Sequence, residues 1–197
     1  VFGGAFDPPH NAHVALARSA VEQLGLDELR IFPTGQAWHK ARDLTPADDR
    51  LAMAKLAFGR RRKMVVDPRE MRRAGPTYTL DTLRELKQER PQADLVLIMG
   101  ADQAAALPSW QGWREILAMA VIAIAQRPDA SGGHPEFNPA GLPDVPPEAR
   151  FERINLPLMD TSATEIRARA AAGQSVSPMV PPAVARYIAL HHLYRTA

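Results

Sequence analysis

The sequence predicts an α/β protein built on a doubly wound parallel sheet. Short apolar runs alternate along the chain with segments of helical periodicity, which is typical of parallel strands joined by right-handed helical crossovers. Two of the runs, residues 95–99 and 121–125, are apolar without interruption, as expected for strands that are buried on both faces. We therefore expect one domain, residues 1–197, with a small helical part at its C-terminal end.

The predicted elements follow one another in a regular order. A first strand ends at Val1 and Phe2, and a glycine turn leads into a helix over residues 12–24 that Gly25 stops. Further strands are expected at residues 29–32, 64–66, 95–99, 121–125 and 151–156. Further helices are expected at residues 46–58 (with Thr45 as N-cap), 79–89, 161–172 and 182–193. Residues 129–149 are rich in proline and glycine and lack periodicity, so they are predicted to form a surface loop.

Composition narrows the choice of partners. The formal net charge is only +2, so we expect no nucleic-acid partner, and the basic run 60–63 is better explained as a solvated helix end. The longest apolar run, residues 116–125, is far shorter than the ~20 residues of a membrane helix, and we expect no membrane partner.

The absence of cysteine excludes disulfides and suits a reducing cytoplasm, where we expect the protein to act. Because the chain starts at Val1 with a short first strand, we expect a few residues to precede it.

The opening segment VFGGAFDPPHNAH is the most informative part of the chain. Gly3 and Gly4 let the backbone come close to a bulky anion, and the helix start behind them offers N–H donors and partial positive charge. His10 and His13 lie three residues apart at that helix start, so both can face one ligand. The segment is therefore predicted to bind nucleotide phosphates.

Two other interpretations of this segment stay open. Histidines three residues apart on a helix can share a metal, but zinc needs further ligands, and the chain has no cysteine and only scattered further histidines. An ordinary glycine turn with surface histidines is the second alternative, because short glycine motifs are weak evidence alone.

The segment TSATEIR near the C-terminus is the best partner for the opening segment. Ser162 and Glu165 form a capping box that starts a helix, and Thr164 and Arg167 lie within its first turns. Hydroxyl groups, N–H groups and a guanidinium commonly hold anions, although plain capping with a solvated Arg167 is the alternative. In a doubly wound sheet, ligands bind at the carboxyl edge of the strands, and two such elements there suit a triphosphate.

At this point the chain resembles the nucleotidyltransferase superfamily that carries GGTFDPxHxGH and ISSTxIR, here GGAFDPPHNAH and TSATEIR. Within it, the chain resembles the bacterial nicotinate-nucleotide adenylyltransferases. That likeness rests on ordered motifs that cover nearly the whole chain except residues 129–149: PTGQAWHK, RLAM, RAGPTYTLDTL, GAD, LPSW and RP. Ala5, Ala12 and Ala163 depart from the motifs, but both histidines and the arginine are retained.

The resemblance implies a Rossmann-like fold and a reaction that joins ATP to nicotinic acid mononucleotide, with release of pyrophosphate. It implies His13, His10 and Arg167 as catalytic residues that position and neutralise phosphate charge. The ATP phosphates would lie against Gly3, Gly4, Ala5, Phe6, Ser162 and Thr164. Mg²⁺ is expected mainly on the ATP phosphates, with no metal ligand assigned in the protein.

The middle motifs predict the acceptor site. An aromatic face suits the cationic nicotinate ring, and N–H groups at a helix start suit its carboxylate. The predicted contacts to the mononucleotide are His39, Lys40, Tyr78, Thr79, Asp102 and Trp110. Without the resemblance, Trp110 is equally well a half-buried core residue, and His39 and Lys40 are exposed loop residues; Trp113 is assigned to packing.

Three other functions share features with this sequence. A related adenylyl- or cytidylyltransferase with another phosphorylated acceptor would share the opening motif but not RAGPTYTLDTL with LPSW. A non-catalytic nucleotide-binding module is compatible with the fold, although the retained histidines and Arg167 favour catalysis. A dinucleotide-dependent dehydrogenase is disfavoured, because GGAFDP is not G-x-G-x-x-G and Phe32-Pro33 end the second strand. The ratio of nicotinate to nicotinamide mononucleotide use is not predicted, and a homo-oligomer is compatible with the sequence.

Overall fold

A computed structural model describes residues 1–35, 44–126, 137–157, 159 and 161–195. Its strands form one parallel sheet in the order β3-β2-β1-β4-β5-β6, which confirms the predicted fold class. From β1 the chain adds strands first on one side (β2, β3) and then on the other (β4, β5, β6), so the winding direction reverses between β1 and β4. Doubly wound sheets bind ligands beside such a switch point, at the carboxyl edge of the strands. The strands are β1 (Phe2–Gly4), β2 (Leu29–Pro33), β3 (Met64–Val66), β4 (Leu95–Gly100), β5 (Ala120–Gln126) and β6 (Phe151–Asn155).

Helices lie between and beyond the strands. They are α1 (Asn11–Gln23), α2 (Ala47–Phe58), α3 (Arg69–Arg72), α4 (Thr79–Glu89), α5 (Ala101–Ala105), α6 (Trp113–Met119), α7 (Ala163–Ala171) and α8 (Pro182–Leu190). Short 3₁₀ helices occupy Leu107–Ser109 and Pro139–Gly141. Within the part of the chain that the structure describes, no helix is long and apolar enough to span a membrane.

The core has one apolar layer on each face of the sheet. Helices α1, α2, α7 and α8 contribute to one layer, and α4 and α6 contribute to the other. Strand β4 supplies both layers, since Ile98 packs into the first and Leu97 and Met99 pack into the second. Burial on both faces is the reason that this strand is apolar throughout.

Most predicted elements are confirmed, but several boundaries were wrong. The first strand continues through the glycines, because Gly3 and Gly4 pair with Phe32 and Pro33 of β2. Pro46, not Thr45, is the N-cap of α2. The backbone N–H of Thr45 instead donates to the Asp7 carboxylate at 3.3 Å, so this residue serves the loop after β1 rather than the helix.

The two C-terminal helices are shorter than predicted. Helix α7 begins at Ala163 because Ser162 is its N-cap, and it ends at Ala171, shortly before Gly173 with φ of 70°. Helix α8 ends at Leu190 rather than Leu193, because His192 and Tyr194 have positive φ and turn the chain out of the helix.

Short helices were missed where sequence periodicity is too brief to register. Helices α3, α5 and α6 have only 4, 5 and 7 residues. The apolar run 116–125 is divided between α6 and β5. Of the predicted loop 129–149, the described part includes Phe137, whose ring centroid lies 6.2 Å from that of Phe151.

Candidate active site

The loop after β1 is shaped by the packing of Phe6. Phe6 is 1% exposed and has φ of 47°, an uncommon conformation for a bulky residue. Its ring lies edge-on to Phe2 and His13, with centroid distances of 5.5 and 5.2 Å. A Cβ on Gly4 would come within 3.0 Å of this ring, whereas a Cβ on Gly3 would meet nothing within 4 Å. Gly4 is therefore required by the internal packing, while Gly3 leaves open space at the carboxyl edge.

The two predicted histidines lie together at the start of α1. His10 is the N-cap, with extended backbone. Its N–H donates to Nδ1 of His13 at 3.2 Å, and the two rings are stacked with centroids 3.7 Å apart. Because Nδ1 of His13 accepts this bond, the proton of the neutral ring is assigned to Nε2. His13 is thereby arranged as a donor toward a ligand.

The helix start that was predicted at Ser162 is confirmed as the beginning of α7. The Ser162 hydroxyl oxygen accepts a hydrogen bond from the N–H of Glu165 at 3.1 Å, which is one half of the capping box. Arg167 Nη2 donates to the Thr164 hydroxyl at 3.1 Å. The guanidinium thus lies over the first turn of the helix, close to the two hydroxyl-bearing residues.

Arg167 joins the two motifs. Its Nη1 donates to the backbone carbonyl oxygen of Asp7 at 2.8 Å, across 160 residues of sequence. The helix start that carries Ser162 and the loop that leads to His10 therefore meet at one place. The prediction that the two elements share the carboxyl edge is confirmed for these residues.

The sequence analysis did not identify the residues that hold the loop after β1. The Asp7 carboxylate is 3% exposed and accepts hydrogen bonds from the Tyr194 hydroxyl at 2.7 Å and from Thr45 N–H at 3.3 Å. Arg50 is 2% exposed and donates to the carbonyl oxygens of Ala5 and Thr34 at 3.0 and 2.7 Å. Arg50 belongs to the RLAM motif and Asp7 to FDPPH, so both could have been found, but Tyr194 carries no comparable signal.

Four of the predicted acceptor residues lie on segments that follow strands at the same edge of the sheet. Tyr78 is the N-cap of α4, and Thr79 is its first residue. Asp102 lies in the first turn of α5, directly after β4. Trp110 follows a 3₁₀ helix and packs against the core as a partly buried residue, while Trp113 is buried, as predicted. His39 and Lys40 lie outside the described residues, as do Arg127 and Pro128.

A buried polar cluster lies behind the start of α4. The Thr82 hydroxyl donates to Glu70 Oε1 at 2.7 Å and accepts from Arg73 Nη1 at 2.9 Å. Burial raises the pKa of the Glu70 carboxyl to about 7, although the hydrogen bond from Thr82 and the charge of Arg73 oppose this shift. A Cβ on Gly35 would collide with the Glu70 carbonyl oxygen, so the loop after β2 approaches this cluster closely.

Known proteins share this organisation. Residues 1–169 match the cytidylyltransferase-like family. A protein of Albidiferax ferrireducens named "Probable nicotinate-nucleotide adenylyltransferase" is 55% identical over 197 residues, which cover 100% of this chain and 98% of the relative. A protein of the same name from Methylibium petroleiphilum is 43% identical over 203 residues, covering 98% and 91% respectively.

Solved structures agree on the fold. Plasmodium falciparum nicotinic acid mononucleotide adenylyltransferase complexed with NaAD has a TM-score of 0.77 to this chain at 20% sequence identity, and the match covers 98% of this chain and 95% of that chain. Together, fold and sequence define a nucleotidyltransferase. The chain belongs to the cytidylyltransferase-like family and, within it, to the nicotinate-nucleotide adenylyltransferases.

Proposed function

We propose that this protein transfers the adenylyl group of ATP to nicotinic acid mononucleotide, giving the deamido dinucleotide and pyrophosphate. The names of its relatives support the reaction. The observation that carries the site assignment is the 2.8 Å hydrogen bond from Arg167 to the Asp7 carbonyl oxygen, because it brings together the two helix starts that are predicted to bind phosphates.

The reaction needs no general base. A phosphate oxygen of the mononucleotide is already anionic when it attacks the α-phosphorus of ATP. The new bond joins that oxygen to the α-phosphorus, and the bond from the α-phosphorus to the bridging oxygen breaks, so that pyrophosphate leaves with the electron pair. The protein therefore has to align the two phosphates and neutralise the charge that builds on them.

His13 is the first residue that we assign to this task. Its Nδ1 is engaged by the His10 N–H, which points to Nε2–H as the donor to the α-phosphate oxygens as charge develops. His10, stacked on His13 with a centroid distance of 3.7 Å, would contact the neighbouring phosphates. Both rings are held by the start of α1, so little reorganisation is needed during the reaction.

The departing pyrophosphate is assigned to the start of α7. The Ser162 oxygen accepts from the backbone, and its hydroxyl proton can still donate to a phosphate. Arg167 brings positive charge to the same turn, where Thr164 also lies. These same β and γ phosphates would contact, on their other side, the loop of Gly3, Gly4, Ala5 and Phe6, where the open space at Gly3 admits them.

Mg²⁺ would enter with the triphosphate. Among the residues that the structure describes, no three histidine, aspartate or glutamate side chains are grouped to hold a metal ion. The oxygens of ATP and water would therefore supply most ligands, which suits the preference of Mg²⁺ for phosphates and water. When bound, the ion would add positive charge near the leaving group.

The acceptor is assigned to the segments around α4 and α5. The N–H groups at the start of α4, next to Tyr78 and Thr79, suit the nicotinate carboxylate. Trp110 offers a ring face to the pyridinium, and Asp102 can accept from ribose hydroxyl groups. His39 and Lys40 are proposed for the mononucleotide phosphate on sequence grounds. Cytoplasmic localisation and a homo-oligomeric state also stay predictions.

Pyrophosphate release from a matrix of substrates tests the proposal. Purified protein is incubated with ATP or CTP, each with nicotinic acid mononucleotide, nicotinamide mononucleotide or phosphopantetheine. We expect the highest kcat/KM for ATP with nicotinic acid mononucleotide. Faster turnover with CTP or with phosphopantetheine would replace this assignment by the related transferase, and ATP binding without pyrophosphate release for any acceptor would indicate a non-catalytic module.

A further inference from the structure

We propose that Tyr194 is a positioning residue for ATP and acts through Asp7, which lies in the loop after β1 (residues 5–10, here called the phosphate loop). The inference rests on the proposed function and adds a residue to its machinery. Tyr194 lies beyond α8, in the C-terminal tail. Its hydroxyl donates to Asp7 Oδ1 at 2.7 Å across 187 residues of sequence.

Asp7 holds the phosphate loop from inside. Its carbonyl oxygen accepts from Arg167 at 2.8 Å, and its carboxylate accepts from Thr45 N–H as well as from Tyr194. The residue therefore links the loop to α7, to the start of α2 and to the C-terminal tail. A carboxylate that is 3% exposed depends on such donors, because buried charge is costly unless it is hydrogen-bonded.

The position of Asp7 sets the positions of its neighbours. Phe6, directly before it, has φ of 47° and packs edge-on to the His13 ring. His10, three residues after it, begins α1 and orients His13. A shift of Asp7 would therefore move the histidines and the Arg167 contact together. Small displacements of aligned groups cost rate, since catalysis at phosphorus depends on positioning.

The tail takes an uncommon backbone path to reach Asp7. After α8, His192 and Tyr194 have φ of 50° and 65°, conformations that cost non-glycine residues about 1 kcal/mol or more each. This path brings the Tyr194 hydroxyl to the Asp7 carboxylate. Burial and the Asp7 carboxylate both raise the pKa of Tyr194, so the hydroxyl stays a donor to this carboxylate at neutral pH.

The chain offers a matched control in Tyr187. This tyrosine lies in α8, and its hydroxyl donates to Asp49 Oδ1 at 2.9 Å. Tyr187→Phe and Tyr194→Phe thus each remove one hydroxyl that donates to a carboxylate and keep the ring. Only the second carboxylate belongs to the phosphate loop.

The experiment measures kcat and the KM of each substrate for both variants beside the wild type, together with thermal unfolding. We expect Tyr194→Phe to lower kcat about tenfold and to raise KM for ATP, with KM for nicotinic acid mononucleotide nearly unchanged, because a misplaced loop costs alignment of the triphosphate. Tyr187→Phe is expected to stay within about twofold of the wild type.

Each outcome bears on a separate claim. Equal kinetics of the two variants, with an active wild type, would overturn the positioning role, and so would an equal rise of both KM values. An inactive wild type would instead overturn the proposed function.

If Tyr194→Phe does not fold, 3-fluorotyrosine in the wild-type chain replaces this variant. The ¹⁹F resonance of position 194 should then shift on addition of the methylene analogue of ATP, and an unchanged resonance contradicts the proposal.

Discussion

The backbone N–H of His10 donates to Nδ1 of His13 at 3.2 Å. One residue thereby caps the helix and orients the other, since the bond assigns the proton of the neutral His13 ring to Nε2. The stacked rings, with centroids 3.7 Å apart, form a rigid pair at the carboxyl edge of β1.

His13→Ala should lower kcat by about 10²–10³, which is typical for loss of one donor to a developing charge. The circular dichroism spectrum should change little, while thermal unfolding should show a modest loss of stability, because the variant loses the acceptor of the His10 N–H and the contact with the Phe6 ring. His191→Ala is the control, since this exposed ring stacks on Tyr187, away from the predicted site. Near wild-type turnover of His13→Ala would refute the assigned role.

Arg167 should not tolerate replacement by lysine. Its two terminal nitrogens reach Asp7 and Thr164 at once, and a lysine ammonium cannot reproduce this planar geometry. We expect Arg167→Ala to lower kcat/KM for ATP by about 10²-fold and Arg167→Lys to recover only part of it. Arg169→Ala is the control, because Arg169 lies two residues further along α7 and its side chain contacts the Ser175 carbonyl oxygen. This variant should leave kcat/KM for ATP within about twofold of the wild type. Equal losses at both positions would contradict the assignment.

The paired glycines should respond differently to alanine. In Gly4→Ala the new methyl group meets the Phe6 ring, which is 1% exposed and has little room to move, so urea denaturation should show a loss of about 1–3 kcal/mol in unfolding free energy. In Gly3→Ala the methyl group meets nothing, so stability is retained, while binding of ATP measured by calorimetry weakens. Normal ATP affinity in Gly3→Ala would remove Gly3 from the site.

Glu70→Gln should change how stability depends on pH. The folded pKa of Glu70 lies near 7, above its ordinary value of 4.5, so the folded protein binds the proton more tightly than the unfolded chain. This tighter proton binding by Glu70 contributes its full stabilisation of the folded state below about pH 4.5, and the stabilisation is lost as the pH rises to about 7. Relative to the wild type, Glu70→Gln should therefore gain up to about 3 kcal/mol in unfolding free energy between pH 4.5 and pH 8.

Urea denaturation of both proteins across this pH range provides the test. The difference between the two curves removes the contributions of other ionisable groups, which both proteins share. Parallel stability curves would mean that Glu70 ionises at an ordinary pKa despite its burial.

Trp110→Ala should raise KM for nicotinic acid mononucleotide about tenfold and leave KM for ATP unchanged. The reason is that the cationic pyridinium ring of the substrate loses about 1–2 kcal/mol of binding free energy when the tryptophan ring beneath it is removed. Trp113→Ala is the comparison for packing. That side chain is buried in the core, and its loss should lower unfolding free energy by about 3–5 kcal/mol. A Trp110 variant that loses stability without any change in KM would make Trp110 a core residue instead.

The local pattern of the chain was sufficient for the fold class. Alternation of apolar runs with helical periodicity predicted the parallel sheet, and strand bounds such as Met64–Val66 and helix bounds such as Thr79–Glu89 agree with the structure. Helices α3, α5 and α6 were not predicted, because 4 to 7 residues hold too few turns for a helical period to appear in the sequence.

Sequence by itself determined which residues are candidates for the chemistry, because glycines, histidines and an S-x-x-E helix start act through groups that are local in the chain. Only the tertiary structure decided how these residues are held. The contacts of Asp7 with Arg167 and Tyr194 span 160 and 187 residues, and no local periodicity or propensity encodes a pairing over such a distance. It arises because parallel strands place their carboxyl ends at one edge of the sheet, where a buried carboxylate must find its donors.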